Sequence, residues 1–459
     1  MSENFILAGF DRVCINPEES VPLTGYANDA VQFHREILDD IYASCIALTD
    51  QNNSTALLIT IDACWIQDTV GIPLRKEICN STGVPEDRIY LCATHTHSAP
   101  SQFTDVDPCV ERYIRHLIKQ VVACVHAALN NRVRAEILAG SVNAKNMNSF
   151  KHYATRDLET GEISFSGDQF GTYKNKEILG HVGQADNTMY LVKFSRTDDK
   201  DIILINWRAH PHFTCGYESY LLASSYIGPF VRELESKTGA YAAFFQGACG
   251  NVNATNRISA EVTYTNASNG IEQMFDYSRK LSEYALQGLN LLRKIQAGPI
   301  RSCQITHLGK VKHTYDHLYP KAKEVVEFWQ KEYNPVAAKA LAKSYGIRSQ
   351  YHALDIVYCY EQGETNPIIL NAVSIGEELA FVTFPGELFD TISVGTECQS
   401  PFEITLCFGY SHHHVGYMPT AVTYTYTSYE TDITHFVAGT AEDVMNQYVQ
   451  MLKGLKEAL

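Results

Sequence analysis

Residues 89–100 read Ile89-Tyr90-Leu91-Cys92-Ala93-Thr94-His95-Thr96-His97-Ser98-Ala99-Pro100, an apolar run followed by two histidines. The apolar run is short and bounded by turn-type residues, so it predicts a buried β-strand. The histidines then lie at the end of a strand, where open α/β sheets usually bind their ligands. Residues two apart in an extended segment face the same side. Paired imidazoles suit a metal site or an acid/base pair, although His-x-His also occurs on ordinary surfaces.

Three further elements carry a residue that can bind a metal or transfer a proton, and two of them also follow an apolar, strand-like run. These elements are His210-Pro211-His212 after the run 202–207, Phe384-Pro385-Gly386-Glu387 after the run 379–383, and Gly416-Tyr417-Met418-Pro419-Thr420 after His412-His413-His414. Because the carboxyl ends of parallel strands meet at one edge, this repeated placement predicts one shared site at one edge of a sheet.

The composition is that of an ordinary globular protein, with 459 residues, 45% of them hydrophobic and 19% charged. The net charge of -15 and the lack of a Lys/Arg cluster argue against nucleic acid as a partner and against stable membrane association. The 13 cysteines include no Cys-x-x-Cys pair. No secretion signal is recognisable at the N-terminus, and a cytoplasmic, soluble protein is therefore expected. The sequence predicts no particular oligomeric state.

Apolar periodicity predicts an α/β fold, with a mixed central β-sheet flanked by helices. The predicted helices span residues 73–82, 107–130, 224–237, 272–294, 321–332, 336–345 and 439–455, and the further predicted strands span residues 55–61, 353–360 and 368–374. The absence of repeats and linkers favours one domain over residues 1–459. Segments 143–187 and 250–270 are polar and weakly periodic, which fits either lids over the site or surface insertions.

These motifs together resemble the catalytic domain of the neutral, non-lysosomal ceramidases. The resemblance rests on the four elements above, on the glycine-rich segment Gln246-Gly247-Ala248-Cys249-Gly250-Asn251-Val252-Asn253, and on the opening stretches 22–26 and 40–42. The order of the motifs is kept along nearly the whole chain. The resemblance implies a ceramidase-like catalytic fold and an enzyme that hydrolyses carbon–nitrogen amide bonds.

The resemblance implies that Zn²⁺ is bound by His95, His210, Glu387 and Tyr417. Two neutral imidazoles, a carboxylate and an open position for water are the ligands of a catalytic rather than a structural zinc site. Tyr417 could bind the ion loosely or donate a hydrogen bond to a developing oxyanion. The alternative for Tyr417 is an ordinary buried tyrosine whose hydroxyl has a partner within the protein.

Other residues near the motifs are candidates for catalysis and substrate binding. His97 faces the same side as His95 and is the candidate acid/base residue, with Tyr417 as the second catalytic group. The candidate substrate-binding residues are Gln246, Gly247, Asn253 and His212. A tight turn is the alternative for the glycine-rich segment, and a surface position is the alternative for His212.

Two more features leave their roles open at the sequence level. Asp62 ends the predicted strand 55–61 and either orients His95 through its second ring nitrogen or caps the following helix. The triplet His412–His414 is either solvated or contributes one imidazole to the pocket.

The departures from the family pattern concern the substrate and the nucleophile. Asn253 stands where ceramidases carry a serine, and Asn251 stands at the preceding acidic position. An asparagine side chain hydrogen-bonds but cannot act as a nucleophile, so hydrolysis is expected to use metal-activated water. The family's arginine in the Asn-rich loop, its immunoglobulin-like domain and its secretion signal are not recognisable. These departures favour a soluble, small-molecule N-acyl substrate over ceramide.

The sequence therefore predicts a cytoplasmic, zinc-dependent amidase of ceramidase-like fold. Two alternatives remain at this level. An esterase or deacetylase could use the same metal centre, and a non-catalytic ligand-binding protein could retain the pocket without the chemistry.

Overall fold

A computed structural model describes residues 5–25, 32–104, 106–167, 175–214, 220–254, 267–332 and 334–458. Its largest sheet has nine strands, namely β1 (Ile6–Cys14), β2 (Tyr42–Asp50), β3 (Thr55–Ile61), β4 (Ile89–Ala93), β5 (Val133–Asn143), β6 (Thr188–Arg196), β7 (Ile202–Trp207), β8 (Tyr241–Gln246) and β9 (Arg293–Ile295). The strand order is β8-β7-β6-β5-β1-β2-β3-β4, and β9 pairs with β5. Only β3–β4 and β7–β8 are parallel pairs, so the sheet is mixed as predicted.

A second, four-stranded sheet packs against the first. Its strands are β10 (Ile300–Lys310), β11 (Thr365–Ile375), β12 (Leu379–Thr383) and β13 (Ile404–Phe408), in that order, with β12 and β13 parallel. Successive side chains of a strand point to opposite faces of the sheet, so each strand contributes side chains to two layers of the core. In β3, Leu58 faces the second sheet, whereas Leu57 and Ile59 face helices on the other side.

Helices cover the outer faces of both sheets. They are α1 (Asp68–Thr82), α2 (Pro108–Asn130), α3 (Ile227–Thr238), α4 (Ala267–Leu289), α5 (Tyr319–Glu332), α6 (Pro335–Ser344), α7 (Gln350–Gln362), α8 (Asp390–Gln399), α9 (Tyr429–Ile433) and α10 (Thr440–Glu457). Helices α1 to α4 pack on the first sheet, and α8 and α10 pack on the second. Helices α5, α6 and α7 form a separate apolar cluster. Within the described residues, no helix has both the length and the apolar character needed to cross a membrane.

The structure confirms the fold class and most predicted elements. The predicted strand 353–360 is wrong, because this segment forms helix α7. Its buried residues Ala353, Ile356 and Cys359 repeat every three positions on one helical face. Ser349 caps the helix by accepting a hydrogen bond from the backbone N–H of His352. A short apolar run fits both periodicities, and the Ser349 cap was the signal for a helix.

The polar segment 143–187 contains regular structure that its composition did not indicate. The strands Tyr153–Asp157, Ile163–Gly167 and Lys176–His181 form a small sheet with Thr427–Ser428. One face of these strands is exposed, so their polar residues do not prevent strand formation. Residues 26, 168–174 and 255–266 lie outside the described residues, and with them part of both predicted lid segments.

Helix α1 packs closely on the loop that carries His412. A methyl group on Gly71 would lie 2.0 Å from the carbonyl oxygen of His412, whereas one on Gly454 in α10 would meet open space. We expect Gly71→Ala to lower the free energy of unfolding by about 1–3 kcal/mol, because backbone must move. Gly454→Ala should leave it unchanged or raise it by up to about 1 kcal/mol. Urea denaturation measures both, and equal stability of the two variants would contradict the close packing.

Candidate metal centre

The predicted ligands come from strand ends of both sheets. His95 follows β4, His210 follows β7, and Glu387 follows β12. Glu387 pairs in parallel with Tyr417 in a short two-residue ladder, which places the two side by side. The structure thus brings together residues between positions 95 and 417 of the chain, although β4 and β7 run in opposite directions and their carboxyl ends do not share one edge of the first sheet as predicted.

His95, His210 and Glu387 point their polar atoms at a common point. The Nε2 atoms of His95 and His210 lie 3.6 and 3.2 Å from Oε2 of Glu387. All three side chains are buried, His95 completely. Burial raises the pKa of Glu387, but His95 and His210 outweigh it and hold the pKa well below its usual range. The carboxylate is therefore ionised and faces two imidazoles.

Backbone carbonyls fix the orientation of both imidazoles. Nδ1 of His95 donates to the carbonyl of Cys64 at 2.6 Å, and Nδ1 of His210 donates to that of Val252 at 3.1 Å. A carbonyl only accepts, so each Nδ1 carries a hydrogen, and in the neutral imidazole each Nε2 then keeps its lone pair. Burial lowers the pKa of His210 to about 4, which favours the neutral, ligating form.

This donor set fits a divalent metal ion. Ligand atoms of a tetrahedral zinc site lie about 3.4 Å apart, given bonds of about 2.0–2.2 Å. The distances from Glu387 to His95 and His210 match that spacing. The three residues also form a potential metal-binding group whose ligand atoms all lie within 4.8 Å of one another. Hydrogen bonds from the second ring nitrogen to a carbonyl are the usual support for metal-binding histidines.

The phenol ring of Tyr417 is buried beside Glu387. Its hydroxyl hydrogen-bonds Glu387, and burial together with Glu387 raises its pKa well above the usual value. The Tyr417 hydroxyl thus remains protonated, and it donates its single hydrogen to Glu387. Its assignment as a metal ligand and catalytic group stays a prediction.

His97 and His212 extend the cluster to four imidazoles. Nε2 of His97 lies 3.1 Å from Nε2 of His95, and the ring centroids of His97 and His212 are 4.6 Å apart. Burial, and then the neighbouring imidazoles, lower the pKa of both His97 and His212 well below the usual value. His212 therefore belongs to the site's surroundings rather than to an exposed surface. The specific roles of both stay predictions.

The glycine-rich segment lies beside the histidine cluster, but its polar groups differ in whether they already have hydrogen-bond partners within the protein. The side-chain amide of Gln246 donates to the Ala209 carbonyl and to Sγ of Cys249, and the N–H of Gly247 donates to the Trp207 carbonyl. Asn253 forms a backbone bridge with His210, and its buried Oδ1 has no hydrogen-bond partner among the described residues. Of the predicted substrate-binding residues in this segment, Asn253 is thus the best placed to meet a ligand.

Neither predicted role of Asp62 holds. Asp62 accepts hydrogen bonds from the Thr94 hydroxyl and the Tyr42 N–H, while the Cys64 carbonyl orients His95. Helix α1 begins at Asp68, beyond the reach of an Asp62 cap.

The His412–His414 triplet is not solvated as a unit. His412 is buried and hydrogen-bonded to Thr383 at 3.0 Å. His414 lies close enough to Glu387 and His95 for their charges to affect its pKa, which burial lowers to about 4. The third member, His413, has a pKa that burial also lowers.

Sequence patterns missed several residues that support the centre. Tyr410 stacks on His95 with ring centroids 3.8 Å apart, and Tyr429 packs edge-on against Tyr417 at 5.8 Å. The ammonium of Lys151 lies 5.0 Å from the centre of the Tyr417 ring and 2.8 Å from the carboxylate of Glu430. Lys151 and Glu430 are single charged residues with no neighbouring motif, so nothing in the sequence distinguished them.

The metal-binding prediction can be tested by elemental analysis of protein purified without a histidine tag. We expect about one divalent ion per chain. His95→Ala and Glu387→Gln should lose it, because each removes one of only a few ligands. The control His116→Ala changes a histidine of α2 whose recorded ion pair is with Glu18, and it should keep the ion. Full metal content in His95→Ala would rule out this centre.

A second prediction concerns Glu430, which is fully buried between Lys151 and His152. Glu430→Gln leaves the Lys151 ammonium buried without its counter-charge, so we expect a loss of about 3–5 kcal/mol of unfolding free energy. The double variant Lys151→Met/Glu430→Gln should recover much of it. Urea denaturation near pH 7 measures the difference.

The loss of unfolding free energy caused by Glu430→Gln should become smaller as the pH falls. Burial opposes ionisation of Glu430, but Lys151 and His152 outweigh it and lower its pKa below the usual value. The stabilisation is full above the unfolded pKa of about 4.3 and declines as the pH falls towards the folded pKa. The gap between wild type and Glu430→Gln should therefore narrow in acid, and a gap that widens would contradict the ion pair.

No protein-family model matches the chain. Among solved structures, the neutral ceramidase from Pseudomonas aeruginosa is similar, with a TM-score of 0.72 at 15% identity over 100% of this chain and 75% of that chain. A ceramidase complexed with C2 has a TM-score of 0.72 at 14% identity, over 100% of this chain and 76% of that chain. The chain therefore has the fold of the neutral ceramidase catalytic domain.

Proposed function

We propose that the protein is a zinc-dependent hydrolase that cleaves the amide bond of a soluble N-acyl compound in the cytoplasm. The observation that carries this proposal is the convergence of His95, His210 and Glu387, with Tyr417 beside them, within a ceramidase-like fold. A bound zinc ion would supply a Lewis acid for the carbonyl and an activated water.

The residues of the chain then have separate tasks. The carbonyls of Cys64 and Val252 hold His95 and His210 in the tautomer that leaves Nε2 free. The Tyr417 hydroxyl, which donates to Glu387 in the free protein, would redirect that hydrogen bond to the oxyanion that develops on the carbonyl. His97, whose Nε2 faces the same point, would take the proton that the attacking water gives up and pass it to the leaving amine.

The substrate class follows from charge. The chain carries a net charge of -15, which repels an anionic lipid surface by about 1 kcal/mol for each charge brought near it. We therefore propose a small, soluble N-acyl substrate and expect slow turnover of long-chain ceramide.

The deciding experiment measures turnover of matched short-chain amides and esters, of long-chain ceramide dispersed in detergent, and of the short-chain amides after chelator treatment. The proposal expects amide hydrolysis that the chelator removes and zinc restores. Ester cleavage without measurable amide cleavage would indicate an esterase on the same centre. Faster turnover of ceramide than of every soluble amide would overturn the proposed substrate class, and chelator-resistant hydrolysis would overturn the metal-dependent mechanism.

Asn253 tests the water-based mechanism directly. We expect Asn253→Ala to reduce kcat by about 10- to 1,000-fold without loss of metal, the range for removing one oriented hydrogen-bonding group. Asn290→Ala, which removes an amide at the end of α4, is the control and should keep full activity. Mass spectrometry during turnover should detect no acyl group on the protein, and an acylated serine would contradict metal-activated water.

A further inference from the structure

Trp65 follows Cys64, the residue whose backbone carbonyl accepts the hydrogen bond from Nδ1 of His95. Its indole Nε1 is buried from solvent and has no hydrogen-bond partner among the described residues. An indole N–H is a donor only, and leaving a buried donor unsatisfied costs free energy comparable to a lost hydrogen bond. Buried polar groups without partners are rare in native proteins, so each one needs an explanation.

Two side chains surround the Trp65 indole and define what we name the Trp65 subsite. His414 lies 4.9 Å from the indole between ring centroids, and Phe103 lies 5.9 Å from it. Phe103 is 40% exposed, so the subsite opens to solvent on that side. Nδ1 of His414 is a second buried polar atom without a hydrogen-bond partner among the described residues.

The Trp65 subsite adjoins the metal centre. Trp65 is joined by one peptide bond to the residue that orients His95. His414 lies close enough to Glu387 and His95 for their charges to affect it. A ligand whose scissile amide is at the metal centre would thus place a neighbouring group against these rings.

We propose that the Trp65 subsite determines substrate specificity by binding an uncharged oxygen, a hydroxyl or a carbonyl, of the N-acyl substrate. The indole N–H donates to that oxygen, and the faces of Trp65 and Phe103 cover the carbon atoms beside it. None of the three side chains carries a permanent charge, so a carboxylate would enter without a counter-charge. This inference rests on the proposed function, because it assigns part of that same substrate.

The oxygen belongs to either the acyl or the amine half of the substrate, and two matched pairs distinguish these sources. In the acyl pair, an N-glycoloyl amide is compared with the N-propionyl amide, which replaces hydroxyl by methyl. In the amine pair, N-acetylethanolamine is compared with N-acetylpropylamine. We expect one pair to show a preference of about 2- to 12-fold in kcat/KM for the oxygen-containing member, the range for one neutral hydrogen bond.

Trp65→Phe keeps an aromatic ring and removes only the donor. It should abolish the preference through KM, with metal content unchanged. Trp329→Phe is the matched control, because Trp329 on α5 packs against Tyr351 on α7 and not against Trp65, and it should keep the preference. A preference that survives in Trp65→Phe, or a wild type with no preference in either pair, would overturn the proposal.

A binding measurement keeps this inference separate from the proposed function. The chain has three tryptophans, so ¹⁵N-tryptophan labelling gives three indole signals that the Trp→Phe variants assign. We expect the Trp65 signal of the metal-loaded protein to shift with the hydroxyl-containing amide of one pair and much less with its methyl analogue. A Trp65 signal that responds equally to both members of each pair would overturn the subsite even if turnover occurs. Absence of turnover with a selective shift would instead refute the hydrolase alone.

Discussion

Two hydrogen bonds to backbone carbonyls control the geometry of the whole centre. The Cys64 carbonyl fixes His95, and the Val252 carbonyl fixes His210. Both carbonyls belong to segments that follow strands of the first sheet, Cys64 after β3 and Val252 after β8. The direction of each lone pair is thus a property of the backbone rather than of a flexible side chain. Glu387, from the second sheet, completes the centre only because the two sheets pack face to face.

The residues around the centre carry features that are costly elsewhere in a protein. His95, Tyr410 and His412 have left-handed backbone conformations, with φ of 65°, 55° and 65°. Each such residue costs of order 1–3 kcal/mol and persists only when the surrounding structure determines it. The buried pair Lys151–Glu430 adds a desolvation penalty behind Tyr417. Strain and buried charge are therefore both present where the ligands converge, as at many functional sites.

Sequence patterns predicted secondary structure most reliably in segments whose hydrophobic pattern fitted only one type of element. The runs at β3, β4, β7 and β12 are continuous and apolar because each strand is buried on both faces, and all four were predicted. Helix α7 was predicted as a strand because the eight residues 353–360 fit both the helical and the strand period. In such a short run, only the length or a capping residue distinguishes a helix from a strand. The small sheet within 153–181 was missed because its strands have one solvated face and polar composition.

The sequence by itself determined the fold class, the strand ends that carry chemistry, and the set of candidate residues around His95, His210, Glu387 and Tyr417. These are local properties, since apolar runs and the polar residues that follow them can be read without knowing their neighbours. Only the tertiary structure decided that Asp62 points elsewhere, that His212 lies half-buried beside His97, and that Lys151 lies against Tyr417. Those contacts join residues far apart in the chain, and their formation depends on how the two sheets and the connecting loops pack, which no local pattern encodes.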